Sequence, residues 1–262
     1  MNLNFTIGIA STVSLVLPVL LIAVLKLIRQ KSFLALFAYY LSVVIYNLLI
    51  LKVIPAKPEV VYYWGLANNL IDTPLMLYFF LYFSPSMKFF RTLRYLIAFF
   101  ILFEAITIGI NGFNSTSVSI IMAPGILMIF ALSLRFFGKH AKLAIRHNKA
   151  MGKAMIASSL VFAYGCYALL YLMYYVFKIQ IVDGKVSPEA VENTFLVYYI
   201  GTIFSSWVLA GGIYFESQRI HKLKELKITR RELNDIYRDS PKMATPTRFR
   251  AAMLDFDKEH WN

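Results

Sequence analysis

Charged residues are scarce in this chain. Only 16% of its 262 residues are Asp, Glu, Lys or Arg, and 59% are hydrophobic, whereas soluble domains have about 25% charged residues and about 45–50% apolar ones. The apolar residues also cluster into long uncharged runs, which a soluble core does not need. This composition excludes an ordinary soluble enzyme and a disordered chain.

Cysteine is nearly absent, and the histidines form no recognisable site. The single Cys166 has no partner for an internal disulfide and cannot build a cysteine metal site. The four histidines have no metal-ligand spacing, and no Ser–His–acid arrangement, phosphate-binding loop or pair of catalytic carboxylates is recognisable. We therefore expect neither a metal centre nor enzymatic activity.

Long apolar runs dominate the sequence. A bilayer core about 30 Å thick is crossed by a helix of roughly 20 apolar residues. Seven runs of this kind are present, at residues 5–28, 33–54, 61–84, 95–110, 118–137, 154–177 and 194–215. The predicted fold class is all-α, a polytopic membrane protein with seven transmembrane helices. Residues 1–215 would form the bundle, and residues 216–262 a cytoplasmic, amphipathic helical tail.

Lysine and arginine are distributed very unevenly between the two sides of these spans. Of the 27 in the chain, all but Lys52, Lys57, Lys178 and Lys185 fall on one side, which the positive-inside rule assigns to the cytoplasm. The predicted N-terminus is therefore outside and the C-terminus cytoplasmic, in a plasma membrane or a bacterial inner membrane. The net charge of +13 predicts contact with anionic headgroups and does not indicate nucleic-acid binding.

The third span carries the richest set of polar residues at membrane depth. Asn68 and Asp72 are four residues apart and share a helix face, with Asn69 and Thr73 in the adjacent row. Pro74 removes one backbone hydrogen bond and should kink the helix there. This run suits a binding pocket, a proton site or a small cation site. The alternative is a hydrogen-bonded polar seam in which desolvation keeps Asp72 protonated.

Glu104, in the fourth span, is the second acid at membrane depth. No lysine or arginine lies at mid-depth in any span, so both acids are expected to be largely neutral at rest. Together Asp72 and Glu104 could form a proton or ion pathway. The alternative for Glu104 is a neutral acid bonded to a serine or a backbone carbonyl.

Spans six and seven add further polar and aromatic candidates. Small and hydroxyl residues around Ser205, including Gly201, Gly211 and Gly212, are typical of close helix packing. Tyr164 lies deep enough in span six to line a cavity. We predict a ligand pocket between spans three, six and seven, lined by Asn68, Asn69, Asp72, Thr73, Tyr164, Ser205 and Trp207.

Three short segments resemble the microbial rhodopsins, which also have seven spans and an outside N-terminus. In the third span, Tyr63-Trp64 and Thr73-Pro74-Leu75 match the pattern of that family's third helix. Phe162-Ala163-Tyr164-Gly165 is similar to the aromatic run of its sixth helix, and Asn193-Thr194-Phe195-Leu196 to the start of its seventh. The motifs of G-protein-coupled receptors in spans three and seven are missing.

The same resemblance exposes a departure from the family. Ser205 occupies the place of the lysine that binds retinal, Asn68 that of the proton-accepting acid, and Gly201 that of a second acid. No lysine lies between Lys185 and Lys222. The resemblance thus implies a relative without covalent retinal, in which a noncovalent ligand such as a lipid or a polyene is the one cofactor to consider.

The basic segment after span seven is predicted to be helical. Its apolar positions, Ile220, Leu223, Leu226, Leu233 and Ile236, fit a helix that continues the span or turns along the headgroups. After a break at Ser240-Pro241, Phe249, Met253 and Phe256 share one face. That face could dock on the protein itself or on a cytoplasmic partner. A second copy of the chain is a further candidate partner.

Three functional hypotheses follow. The first is a rhodopsin-like, non-photoactive sensor that binds a small ligand among spans three, six and seven. The second is a proton or cation channel or transporter that uses Asp72 and Glu104. The third is a membrane scaffold that recruits a partner through its tail, in which the polar seam has only a structural role.

Overall fold

The chain folds into α-helices joined by short links. A computed structural model describes residues 3–83, 87–147, 150–182 and 188–239, and no β-strand occurs in these ranges. A 3₁₀ turn at Leu27–Arg29 follows the first helix. The seven α-helices are α1 Leu3–Val24, α2 Lys31–Ile50, α3 Pro58–Phe83, α4 Met87–Asn111, α5 Ser115–His147, α6 Met151–Val182 and α7 Pro188–Asp239.

Six of these helices are long and apolar enough to cross a membrane, so the protein is a multi-pass integral membrane protein. The exception is α3, which carries Asn68, Asn69 and Asp72 in its middle and is less apolar for that reason. The predicted all-α class and the presence of seven helices are confirmed over the described residues, and the crossing of the membrane by all seven stays a prediction. Each predicted span overlaps one helix.

Helices α3 to α7 are longer than the predicted spans, mainly at the ends predicted to be cytoplasmic, whereas α1 and α2 are each two residues shorter. Helix α4 begins at Met87 and includes Arg91 and Arg94, and α5 continues through Lys139 to His147. Apolar runs measure the thickness of the bilayer, whereas lysine and arginine are good helix formers that extend a helix into the headgroup region. Hydropathy therefore predicts the number of helices better than their ends.

Helix α7 passes without interruption through the predicted boundary between bundle and tail. At 52 residues it is about 78 Å long. Glu216 and Ser217 are buried, Ile220 packs against the core, and the side chains of residues 221–229 are exposed. The helix therefore leaves the bundle just after Ile220. The predicted second tail helix, with Phe249, Met253 and Phe256, lies outside the described residues.

The seven helices form a closed ring. Each packs against the next in chain order, and α1 closes the ring against α7. Helix α3 also contacts α5 directly, so it packs against three helices, α2, α4 and α5. This arrangement gives α3 access to residues on several helices.

Aromatic rings fill the predicted cytoplasmic half between α3 and α5. The ring of Phe136 lies 5.0 Å from Phe80, 5.9 Å from Phe83 and 6.0 Å from His140, centre to centre. Lys153 of α6 donates from Nζ to the Phe83 carbonyl at 3.3 Å. That carbonyl belongs to the last residue of α3, where the helix dipole favours a cation. This half of the bundle is therefore closely packed.

Glycines bring α6 and α7 together. A Cβ on Gly212 would lie 2.8 Å from both the amide nitrogen and Cγ1 of Ile156, and one on Gly201 would lie 2.8 Å from Sγ of Cys166. Both distances are too short for an additional carbon atom. The predicted close packing at Gly201, Gly211 and Gly212 is confirmed, since Gly211 likewise faces Met155.

We predict that Gly212→Ala destabilises the protein by about 1–3 kcal/mol, the usual cost of overpacking, because the new methyl group meets the α6 backbone. Gly138→Ala is the matched control, since a Cβ there has no neighbour within 4 Å and alanine is the better helix former. Thermal unfolding of the two purified variants in nanodiscs measures the difference. Equal melting temperatures would contradict the close α6–α7 contact.

Candidate functional site

A hydrogen bond between Asp72 and Tyr164 crosses the interior of the bundle. Tyr164 of α6 is buried, and its hydroxyl donates to Oδ1 of the half-buried Asp72 on α3. Helices α3 and α6 are not neighbours around the ring, so this bond links opposite walls. Tyr39 and Tyr40 of α2 are buried within electrostatic range of the same carboxyl.

Three tyrosines extend this link from α6 to α7. The rings of Tyr164 and Tyr167 have centres 5.9 Å apart. The Tyr167 hydroxyl donates to the Tyr198 hydroxyl at 3.2 Å, and Tyr198 also hydrogen-bonds with Thr202. We call Tyr164, Tyr167 and Tyr198 the tyrosine row. It joins Asp72 of α3 to α7 by hydrogen bonds and ring contacts.

A partly open cavity of about 270 Å³ lies at the far end of the tyrosine row. It is bounded by α1, α2, α3, α6 and α7, in the half of the bundle that holds the start of α1 and the end of α2. That half is the predicted outer side. Its polar lining is formed by Thr12, Tyr46, Asn47, Asn68, Asn69, Tyr167, Tyr198 and Tyr199.

Three asparagines offer free hydrogen-bonding groups to this cavity. Asn68 is buried, and Asn47 and Asn69 are half-buried. None of their side-chain amides is hydrogen-bonded to another side chain or backbone group in the described part of the chain. Their side-chain atoms are not among the fully buried unpaired ones, so they are accessible from the cavity and can hydrogen-bond with a ligand or water.

Asp72 lies just below the cavity. It follows Asn68 on the same face of α3 by four residues, which places it about 6 Å further along the helix axis. Tyr167, which lines the cavity, is within electrostatic range of its carboxyl. A ligand in the cavity would therefore be close to an acid, although the described lining itself contains no charged residue.

Two of the predicted ligand-binding residues have packing contacts instead. Thr73 is buried against α5, where a Cβ on Gly125 would overlap its hydroxyl. Ser205 is buried, and its hydroxyl donates to the Thr202 carbonyl of the same helix at 3.1 Å. Neither lines the cavity described above.

Trp207 requires a correction. Its side chain is 62% exposed, so it faces away from the bundle and does not line the predicted pocket. Successive helical residues are rotated by about 100°, and Trp207 is therefore about 200° from Ser205. Since Ser205 and Leu209 are buried, the residue midway between them must face outward.

The cavity also uses residues that the sequence did not indicate. Thr12, Tyr46, Asn47 and the neighbouring Tyr198 and Tyr199 all contribute to its walls. Gly65 leaves space for the Tyr46 side chain, because a Cβ at position 65 would lie 2.8 Å from the Tyr46 hydroxyl. The paired polar residues Tyr46-Asn47 in an apolar span were the one available signal.

Glu104 stands apart from this site. It is buried on α4, and its Oε1 has no hydrogen-bond partner among the described residues. No hydrogen bond or charge interaction joins it to Asp72 in the same part of the chain. A serine or carbonyl partner for Glu104, as considered from the sequence, is not found there either.

Comparison with known proteins adds no relative. No protein-family model matches the chain, and no curated protein or solved structure is similar to it. The resemblance to microbial rhodopsins stays a prediction from the three short segments. The geometry of the cavity and of the tyrosine row is therefore the guide to function.

We predict a favourable coupling between Asp72 and Tyr164 of about 0.6 kcal/mol and at most about 1.7 kcal/mol, the average and the maximum for hydrogen bonds between helices in membranes. A double-mutant cycle with Tyr164→Phe, Asp72→Leu and the double variant isolates it. The measurement is the free energy of unfolding in mixed micelles. Tyr95→Phe is the control, because Tyr95 is 71% exposed on α4 and should show no coupling to Asp72. A coupling near zero for Tyr164 would contradict the link.

Proposed function

We propose that this protein is a membrane receptor or sensor that binds a small ligand in the cavity near Asn68 and Asn69. The observation that carries the proposal is the set of unpartnered amides in a cavity of about 270 Å³. Binding sites of this kind are concave, largely preformed and have a few polar groups that orient the ligand. Amides, tyrosines and a nearby carboxyl supply those groups here.

The tyrosine row supplies a route from the ligand to the rest of the bundle. A ligand that contacts Tyr167 and Tyr198 changes the environment of the hydroxyl groups that lead to Tyr164 and Asp72. Helix α7, which carries Tyr198, continues past the bundle to Asp239. Ligand binding would thus bias the position of α7, and a cytoplasmic protein that recognises residues 216–262 would receive the signal.

Orientation, membrane and evolutionary relation belong to the same proposal. The N-terminus would be outside and the C-terminus cytoplasmic, in a plasma or bacterial inner membrane, with the basic face against anionic headgroups. The chain would be a rhodopsin relative without covalent retinal. A buried Ser205 on α7, where that family has its lysine, is compatible with this relation, and a bound lipid or polyene is one ligand class it suggests.

The proton or cation pathway is the less favoured hypothesis. It requires Asp72 and Glu104 to exchange a proton or an ion, yet no interaction joins them in the described residues. Asp72 is instead linked to the tyrosine row. The scaffold hypothesis leaves the unpartnered amides without a role.

We predict that the gently purified protein carries a small molecule in one-to-one ratio, and that Gly8→Leu removes it. Gly8 lines the cavity, and a Cβ there meets nothing closer than Tyr199 at 3.9 Å, so a leucine has space to enter and fill the cavity. Native mass spectrometry measures the bound mass, and an absorption spectrum detects a polyene.

Gly109→Leu is the matched control, because it makes the same change on α4, where a Cβ has no neighbour within 4 Å. We expect the bound mass to persist in this variant. Equal, non-zero occupancy in Gly8→Leu and wild type would contradict the proposed binding site.

The proposed orientation has its own test. In a Cys166→Ala background, Ala56→Cys places a thiol in the exposed link between α2 and α3, and Ile145→Cys places one near the end of α5, where Ile145 is 85% exposed. We predict that an impermeant maleimide labels position 56 in intact cells and position 145 only after permeabilisation. The reverse pattern would place the N-terminus inside.

A further inference from the structure

Two of the four tyrosines that line the cavity have hydrogen-bonded hydroxyl groups. Tyr167 donates its hydroxyl proton to Tyr198, and Tyr198 is also bonded to Thr202. The Tyr46 hydroxyl lies against the α3 backbone at Gly65. The rings of Tyr198 and Tyr199 have centres 5.5 Å apart. Four aromatic rings therefore line one small space.

The lining of this space is better suited to a positive charge than to a negative one. The face of an aromatic ring carries the negative part of its quadrupole, and the asparagine amides offer carbonyl oxygens. The described lining has no lysine, arginine or histidine, and the Asp72 carboxyl lies below it. An anionic ligand would find no positive side chain there, whereas a cation would find rings on several sides and an acid beneath.

We infer that the ligand of the cavity is a small organic cation with an ammonium head group, held among the rings of Tyr46, Tyr167, Tyr198 and Tyr199 above Asp72. Rings around a quaternary ammonium group attract it by cation–π interaction. Asp72 would be ionised in the complex and keep its bond from Tyr164. This inference rests on the proposed function, since it names the ligand class of the same cavity.

The asparagines would hydrogen-bond with the part of the ligand beyond its ammonium group. Asn68 and Asn69 lie side by side on α3, and Asn47 faces them from α2 as part of the same lining. Their amides can donate to, or accept from, a hydroxyl or carbonyl group carried a few bonds from the ammonium. Choline has this arrangement and is therefore the probe of choice.

The test compares choline with 3,3-dimethyl-1-butanol, which has the same shape but carbon in place of the charged nitrogen. Titration calorimetry on the dialysed full-length protein in nanodiscs measures both affinities. We expect choline to bind at least tenfold more tightly. Equal affinity for the two probes, or no detectable binding of choline, would overturn the inference.

Single substitutions identify the residues that cause the preference for choline over the neutral probe. Asp72→Asn should weaken choline binding at least tenfold and leave the neutral probe unaffected, whereas Glu104→Gln, the other buried acid, should change neither. Tyr198→Leu should also weaken choline binding, with Tyr95→Leu as the control for an exposed tyrosine. If Asp72→Asn binds choline as tightly as wild type, the acid has no part in the site and the inference fails.

Failure of this inference is distinguishable from failure of the proposed function. If choline does not bind but a molecule lost in Gly8→Leu co-purifies with the protein, the cavity binds a ligand of another class. If no molecule co-purifies, choline does not bind and Gly8→Leu behaves as wild type, the proposed function falls as well.

Discussion

The hydrogen bond from Tyr164 to Asp72 gives a partner to a carboxyl in the interior of the bundle. A carboxyl placed among helices is costly, and a hydroxyl donor lowers that cost. Because α3 and α6 are not adjacent in the ring, the bond also sets the distance across the interior. The positions of α2, α6 and α7 around the cavity depend on this cross-link.

Small residues allow the close helix packing on which the distance across the interior depends. Gly65 admits Tyr46, and Gly125 admits Thr73, so α2 and α5 both come close to α3. Association of helices in lipid depends on close packing, because lipid tails are as apolar as the side chains themselves. Glycines let α2 and α5 pack against α3, which leaves its Asn68–Asp72 face directed at the interior.

The sequence predicted the helices well and the site only in part. Apolar runs and basic links predict the helix count from the thickness of a bilayer and the avoidance of buried charge, and both are local properties. Asn68 and Asn69 line a cavity, but that cavity is bounded by α1 and α2 as well as by spans three, six and seven, and ligand binding by these residues stays a prediction. Tyr164 was correctly expected to lie in the interior, although it contacts Asp72 instead of lining the cavity described here.

The contributions of α1 and α2 could not be read from the sequence, for a physical reason. Thr12 and Tyr46 line the cavity only because α1 closes the ring against α7 and α2 packs on α3, and helix neighbours are set by the packing of the whole bundle. Trp207 was wrongly predicted to face the interior, because polar and aromatic residues of the spans were assigned to the interior without regard to their angular position on the helix. Trp207 is exposed because Ser205 and Leu209, two residues before and two after it, face inward.

The two halves of the bundle differ in a way that bears on function. The predicted outer half contains a cavity with amides that lack partners, whereas the predicted inner half is filled by stacked rings around Phe136 and is tied by Lys153 to the end of α3. A pathway for ions would have to open that closely packed inner half, at the cost of many contacts. A receptor needs access from one side only. This asymmetry favours ligand binding over transport, and it makes the inner ends of α3 and α6 the contacts that a bound ligand would have to alter.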